Sequence, residues 1–230
     1  MKTLELRIDG GAGIWTTVNQ LIIAGWAGRD EREVEHHIRE LGALGVKPPA
    51  SVPTFYQIAP DLLTTSERID VVGAHSSGEV EVVLVQCASD GLLVGIGSDH
   101  TDRRVESYDV AVSKQVCAKP VSAVFWRYAE VASHWDALIA RSWRIDGRDG
   151  RAGRDLYQEG SLARLLHPEV LIQRGFGAGG MPPGSAMFCG TQAVLGELSP
   201  SEGYELELHD PVLGRSLRHR YMVGTLAHVE

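Results

Sequence analysis

Glu79 and Glu81 stand two residues apart in Ser-Gly-Glu-Val-Glu-Val-Val-Leu-Val. In a strand, side chains at that spacing share a face, and Val80 and Val82 turn the other way, toward a core. Two carboxylates held side by side next to apolar sequence repel each other and lose hydration. A divalent cation is the simplest agent that removes that penalty. A third carboxylate, Asp99, follows in Gly-Ile-Gly-Ser-Asp-His-Thr-Asp-Arg-Arg, just past an apolar run from Leu92 to Ile96. Asp90-Gly91 between the two runs signals a two-residue hairpin turn. Antiparallel pairing would then bring all three carboxylates to one ion. Hard oxygen donors of this kind suit Mg²⁺ or Mn²⁺ rather than zinc. Taken alone, the glutamate pair also reads as a solvated strand face, because charged residues are mostly exposed.

Other residues could act beside such an ion. His37 and Glu40 form His-x-x-Glu in a helix-like stretch, a spacing that lets a carboxylate orient an imidazole. The same stretch, with His36, Glu33 and Glu35, also reads as a solvated helix. Lys114 lies in Val110-Ala-Val-Ser-Lys-Gln-Val-Cys, otherwise apolar; it either snorkels to water or faces a negative site. Arg103 and Arg104 follow Asp99 closely and suit either a substrate carboxylate or a structural ion pair. Gly190 and Thr191, where the chain bends, offer a backbone N–H and a hydroxyl to an anion, or are simply a strand end.

The bulk numbers narrow the class. A formal charge of −8 over 230 residues argues against a nucleic-acid binder, which would show a basic face. Of the 22 basic residues, only Lys2, Lys47, Lys114 and Lys119 are lysine. Such an arginine bias either serves carboxylate recognition or reflects a GC-rich genome. Cys87, Cys117 and Cys189 are odd in number and widely separated, as expected of buried thiols in a reducing compartment. The first ten residues alternate like a strand rather than a signal peptide. No stretch approaches the ~20 apolar residues of a membrane span. The expectation is a soluble, cytoplasmic protein.

Strands at Leu4–Ile8, Leu21–Ala24, Ile69–Val72, Val80–Cys87 and Leu92–Ile96 dominate the first half. A helix is expected from Asp30, its N-cap, to Gly42, its C-cap, with Val34, Ile38 and Leu41 on the apolar stripe. Val110 to Val116 alternates like a strand. Tyr128 to Trp143 reads as an amphipathic helix with Val131, Trp135, Leu138 and Ile139 on one side, and Ser161 to Leu166 as a short helix. Residues 175–184 read as a Gly/Pro-rich loop. Three late strands follow, Ala186–Cys189, Tyr204–Leu208 and Ser216–Val223.

Taken in order, these pieces resemble the fumarylacetoacetate hydrolase superfamily at the level of its C-terminal catalytic domain. Leu21-Ile-Ile-Ala-Gly-Trp-Ala-Gly-Arg-Asp with His37-x-x-Glu40-Leu-Gly is similar to the family's opening motif, with extra residues before the histidine. Pro53-Thr-Phe-Tyr resembles its following strand. Ser77-Gly-Glu-Val-Glu matches the segment whose two glutamates bind metal, and Gly97-Ser-Asp-His-Thr-Asp-Arg-Arg-Val-Glu the segment whose aspartate is the third ligand. Ser113-Lys-Gln-Val-Cys-Ala-Lys-Pro-Val-Ser is similar to a segment with a lysine beside the metal. Cys189-Gly-Thr-Gln-Ala-Val-Leu-Gly is similar to the family's Gly-Thr-Pro motif. The match keeps register over most of residues 20 to 223. It departs at Gln192 for proline, Glu106 for glutamine and Ser98 for asparagine.

The resemblance implies an α+β, mostly β fold: a mixed β-roll or sandwich with a few peripheral helices. It implies a single catalytic domain over 1–230, with an insertion or lid at about 128–171. It implies Mg²⁺ or Mn²⁺ on Glu79, Glu81 and Asp99, with His37, oriented by Glu40, as general base and Lys114 stabilising an oxyanion. Arg29 or Arg103 would meet a distant substrate carboxylate, with Glu106, Gly190 and Thr191 also at the substrate. The implied reaction is hydrolysis of a C–C bond in an acylpyruvate-like 2-oxo acid or 1,3-dicarbonyl. Decarboxylation, isomerisation and hydration are alternatives, as is a non-catalytic member that binds a small ligand. The resemblance also implies a homodimer, with the strand edges and the 128–143 helix as candidate interfaces, and a dicarboxylate or 2-oxo acid substrate.

Overall fold

Alternation decides the first strand. In β1 (Lys2–Ile8), Leu4, Leu6 and Ile8 are buried while Glu5 and Arg7 face water, as a two-residue side-chain period requires. The structure, a computed structural model, describes residues 1–43, 48–146 and 153–227; the side chains of His37, Glu40, Leu41 and Ala43 lie outside the described set.

β1 joins an eight-stranded mixed sheet. In spatial order the strands are β2 (Gly13–Val18), β1, β12 (Val124–Arg127), β9 (Gly91–Ser98), β8 (Val80–Cys87), β15 (Ser185–Thr191), β3 (Gln20–Gly25) and β4 (Thr54–Ile58). A second, five-stranded sheet runs β14 (Gly153–Ser161), β13 (Ile139–Asp146), β16 (Gly203–Asp210), β17 (Arg215–Leu226), β6 (Arg68–Val72). Two short ladders, β7 (Ser76–Ser77) with β10 (Thr101–Asp102) and β5 (Leu63–Thr64) with β11 (Lys119–Pro120), complete the pairing.

β8 is central, and both of its faces are apolar. Val80, Val82 and Leu84 join a core shared with Trp126, Tyr204, Leu206 and Tyr221, between the two sheets. Val83 and Val85 join a second core with Leu6, Val18, Leu21, Ile58, Leu93, Phe125 and Phe188. All eight strands of the large sheet contribute to that second core, joined by Leu63 of β5 and Val121 just past β11. The sheet therefore curls around its own apolar face. Glu81 has the parity of Val83 and Val85, so it stands at the mouth of the curl.

The helices are short and peripheral. Asp30 caps α1 (Glu31–Ala43), its Oδ1 accepting from the Arg32 N–H at 2.8 Å. The helix runs past Gly42, which therefore lies in its last turn and is not a C-cap. Val110–Val116 is not a strand. It forms α3 (Val110–Gln115), because Asp109 caps it through the Val112 N–H at 3.0 Å and Val112 and Val116 sit one turn apart on its exposed side. The 128–143 helix is also corrected. A single turn, α4 (Tyr128–Val131), passes into a 3₁₀ segment ending at Ala137, and Ile139 opens β13. Val131, Trp135 and Leu138 face the protein's own core. β13 and β14, from the 128–171 segment, are strands of the five-stranded sheet. Ser161 caps a 3₁₀ turn, Leu162–Arg164, and Gly175 and Phe176 close α5 (Pro168–Phe176), so the Gly/Pro-rich loop starts two residues later than expected. The β8–β9 hairpin pairs Cys87 with Gly91, so three residues and not two make the turn, and Gly91 takes a φ of +74°, as such loops require. The short α2 (Arg103–Glu106) follows β10 directly. No helix among the described residues is long and apolar enough to cross a membrane.

Candidate metal centre

The β8–β9 ladder pairs Glu81 with Gly97 and Val80 with Ser98. One step further, the Asp99 N–H donates to the Glu79 carbonyl at 3.0 Å, which sets Asp99 beside the glutamate pair. Ligand oxygens of Glu79, Glu81 and Asp99 lie within 4.8 Å of one another. Asp99 and Glu81 are buried and Glu79 is nearly so. The hairpin does what its spacing predicts.

β15 supplies the third wall. Its register against β8 shifts between Phe188 and Thr191, and Gly190 at the shift takes a φ of +96°. Its N–H then donates to Glu81 Oε2 at 2.8 Å. A side chain at 190 would be strained at that φ and would meet Ala27 Cβ at 2.7 Å. Thr191 Oγ1 donates to the Val80 carbonyl at 3.0 Å. Both donors expected to face a ligand are therefore used inside the protein.

Three cations surround the trio. Lys114, carried by α3, makes a short ion pair with Asp99 Oδ2 and lies 3.7 Å from Glu79 Oε2. Lys119 on β11 donates to the His100 carbonyl at 2.6 Å and lies 3.1 Å from Asp99 Oδ1, close but not aligned as a hydrogen bond. Arg103 Nη1 reaches Glu79 Oε1 at 2.9 Å and Glu106 Oε2 at 2.8 Å, and its Nε donates to Ser77 Oγ at 2.7 Å. Burial alone would raise the Asp99 carboxyl, but the two lysines hold it well below the usual range. Burial likewise opposes the charge of Lys114, yet Asp99 and Glu79 raise its ammonium above the ordinary value. Burial lowers Lys119, with Asp99 only partly compensating.

Glu81 is the exception. Burial, then Asp99 and Glu79, push its carboxyl well above the usual range, and Lys114 and the Gly190 N–H only partly offset them. No cation among the described residues lies within ion-pair distance of it. A buried carboxylate with one neutral donor needs either a proton or a cation. The all-oxygen donor set fits a hard dication such as Mg²⁺ or Mn²⁺.

Of the remaining sequence-predicted residues, Arg29 sits ahead of α1, bidentate on Asp136 at 2.7 and 2.8 Å and donating to the Leu165 carbonyl at 2.9 Å. Glu106 stands behind Arg103. His37 and Glu40 lie on the α1 backbone, and their side chains are outside the described residues. Sequence reasoning missed Lys119, although it is one of four lysines and lies in apolar sequence. It also gave no role to Gln158 on β14. Gln158 Oε1 accepts from the Val80 N–H and the Ser142 hydroxyl, both at 2.9 Å, and Nε2 donates to Thr191 Oγ1 at 2.8 Å and the Gln192 carbonyl at 2.6 Å. No local pattern announces such a residue; only the packing of two sheets gives it four partners.

The family model described as "Protein of unknown function (DUF2848)" matches residues 24–221, which include every member of the trio and its cations. The chain belongs to that family. No curated protein matches it. Among solved structures it is similar to a fumarylacetoacetate hydrolase family protein from Yersinia pestis CO92, at 18% identity and a TM-score of 0.66, covering 95% of this chain and 100% of that one. A yeast fumarylacetoacetate hydrolase family protein aligns at 15% identity and a TM-score of 0.63, covering 92% and 95%. A 2-keto-3-deoxy-D-arabinonate dehydratase complexed with magnesium and 2,5-dioxopentanoate aligns at 15% and 0.61, covering 91% and 74%. The chain thus has the α+β, mostly β fold of fumarylacetoacetate hydrolase proteins.

Proposed function

We propose that this chain is a divalent-metal-dependent enzyme that acts on a 2-oxo acid, hydrolysing a carbon–carbon bond of an acylpyruvate-like substrate. Glu81 carries the reading: a buried carboxylate with one neutral hydrogen bond, aimed at the point where Glu79 and Asp99 converge. Mg²⁺ or Mn²⁺ held by these three residues would supply Lewis-acid polarisation of the substrate's ketone. The Lys114 ammonium, kept protonated by Asp99 and Glu79, offers an N–H to the oxygen that gains negative charge, a role strongest in a site without water. Arg103 holds Glu79 in place and is itself held by Glu106. His37, three residues from Glu40 on α1, takes the proton from the attacking water.

A second reading is loss of water from a hydroxylated 2-oxo acid. The same fold carries that name in the magnesium-bound dehydratase, and charge stabilisation by Lys114 serves both reactions equally. The products separate them, since hydrolysis yields two carbon fragments and dehydration yields one.

Glu81→Gln keeps the shape and removes the charge. The expected outcome is loss of Mn²⁺ binding by calorimetry and of 2-oxo acid turnover, with far-UV circular dichroism unchanged. Turnover that persists in excess chelator would end the metal mechanism. Mn²⁺ and oxalate binding without turnover of any 2-oxo acid would instead mark a ligand-binding protein.

A further inference from the structure

The cations around the trio are all paired with acids, although Arg103 Nη2 has no hydrogen-bond partner of its own. Lys114 is paired with Asp99 and Glu79, Lys119 with Asp99, and Arg103 with Glu79 and Glu106. Arg29 is engaged by Asp136. With every described group ionised, Glu79, Glu81, Asp99 and Glu106 outnumber Lys114, Lys119 and Arg103 by one. A bound dication turns that single negative excess into a single positive one. One carboxylate on the substrate neutralises it.

Beside the trio lies a cavity of about 190 Å³ lined by Tyr56, Glu106, Tyr108, Asp109, Val110 and Ala111. It adjoins the trio through side chains: the Tyr56 ring centroid is 5.9 Å from Lys114 Nζ, and Glu106 holds Arg103. Its wall has two phenol rings and two carboxylates but no lysine or arginine. A second carboxylate entering there would meet like charge without a counter-ion. An uncharged tail would instead bury apolar surface against the rings.

Building on the metal-centre reading above, we propose that the substrate is a monoanionic 2-oxo acid. Its ketone and sole carboxylate lie at the trio, and its uncharged tail rests on Tyr56 and Tyr108. The test uses Mn²⁺-loaded protein and calorimetric binding of 2-oxopentanoate and 2-oxoglutarate, which share a five-carbon chain and differ at the far end. The expected result is at least tenfold tighter binding of 2-oxopentanoate. In the Glu106→Gln/Asp109→Asn variant, whose asparagine still caps α3, the preference should shrink to about threefold or less. Oxalate, which needs only the metal, is the control. If oxalate binds but 2-oxoglutarate equals or exceeds 2-oxopentanoate, this inference falls and the metal centre stands. If the wild type prefers the monoanion and the double variant keeps the full preference, the two carboxylates are not its cause and the assignment of the cavity is overturned. Failure of oxalate to bind removes the metal centre, and this inference with it.

Discussion

Asp99 stays ionised through two lysines, where one would be the usual count. Buried carboxylates ordinarily gain a proton, and here Lys114 and Lys119 reverse that tendency from opposite oxygens. Lys119 is fully buried and has no other acidic partner among the described residues. Removing one partner of a buried pair strands the other, an effect of roughly 3–5 kcal/mol. Because Lys114 remains, Lys119→Met should lower metal-free stability by about 3 kcal/mol in urea unfolding. Saturating Mn²⁺ should shrink that deficit, since the dication also compensates Asp99. An unchanged midpoint would show that Lys119 does not hold Asp99. The three acids were legible in the sequence because strand parity and a hairpin suffice to converge them. Lys119 was not, because its partner lies twenty positions away, across the short β10 strand and two helices, α2 and α3.

Gln158 shows what elements do for the site beyond supplying ligands. It ties the β8 backbone between the two glutamates to the shifted end of β15, from a strand of the other sheet. Gln158→Leu leaves the Val80 N–H without its partner, and a stranded buried group costs about 1–3 kcal/mol. The same change removes the bonds from Gln158 to Thr191 Oγ1 and the Gln192 carbonyl, which loosens the hold on the Gly190 N–H aimed at Glu81. Mn²⁺ affinity should fall at least tenfold. Ser142→Ala removes only the bond on the far side of Gln158, so it should lower stability and leave Mn²⁺ affinity unchanged. Equal affinity in both variants would reduce Gln158 to a packing residue. At this scale the sequence misled most at two elements, each for a physical reason. Val110, Val112 and Val116 satisfy a two-residue period, yet the last two also satisfy a helical turn, and the Asp109 cap decides. Val131, Trp135 and Leu138 are helically spaced, but β13 then finds hydrogen-bonding partners on both sides, in β14 and β16.

The whole molecule is two cores sharing β8, one inside the curl of the large sheet and one between the sheets. Alternation in the sequence locates strands, but it cannot say that a sheet will curl on itself, because curl depends on which strands become neighbours. The inter-sheet core reaches the site from behind: the Tyr221 hydroxyl donates to Ser98 Oγ at 2.9 Å, which accepts the Glu79 N–H at 3.1 Å. His219 stacks on Tyr221 with centroids 6.1 Å apart, and its buried Nε2 has no hydrogen-bond partner. Burial pushes its pKa down to about 4, against weaker support from Glu67 and the Ser66 backbone. Above the unfolded value of about 6.5 the ring is neutral in both states and contributes no pH dependence. As pH falls through that value, the unfolded chain takes up a proton that the folded chain refuses until near pH 4. Stability is therefore lost on acidification, by up to about 1.4 kcal/mol per pH unit and on the order of 3 kcal/mol across the window. Carboxylates titrate in the same range, so the informative quantity is the stability difference between wild type and His219→Gln, measured by urea unfolding at several pH values. That difference should move against the wild type by about 3 kcal/mol between pH 7 and pH 4. A difference independent of pH would mean that the imidazole is protonated, or reached by water, in the folded protein.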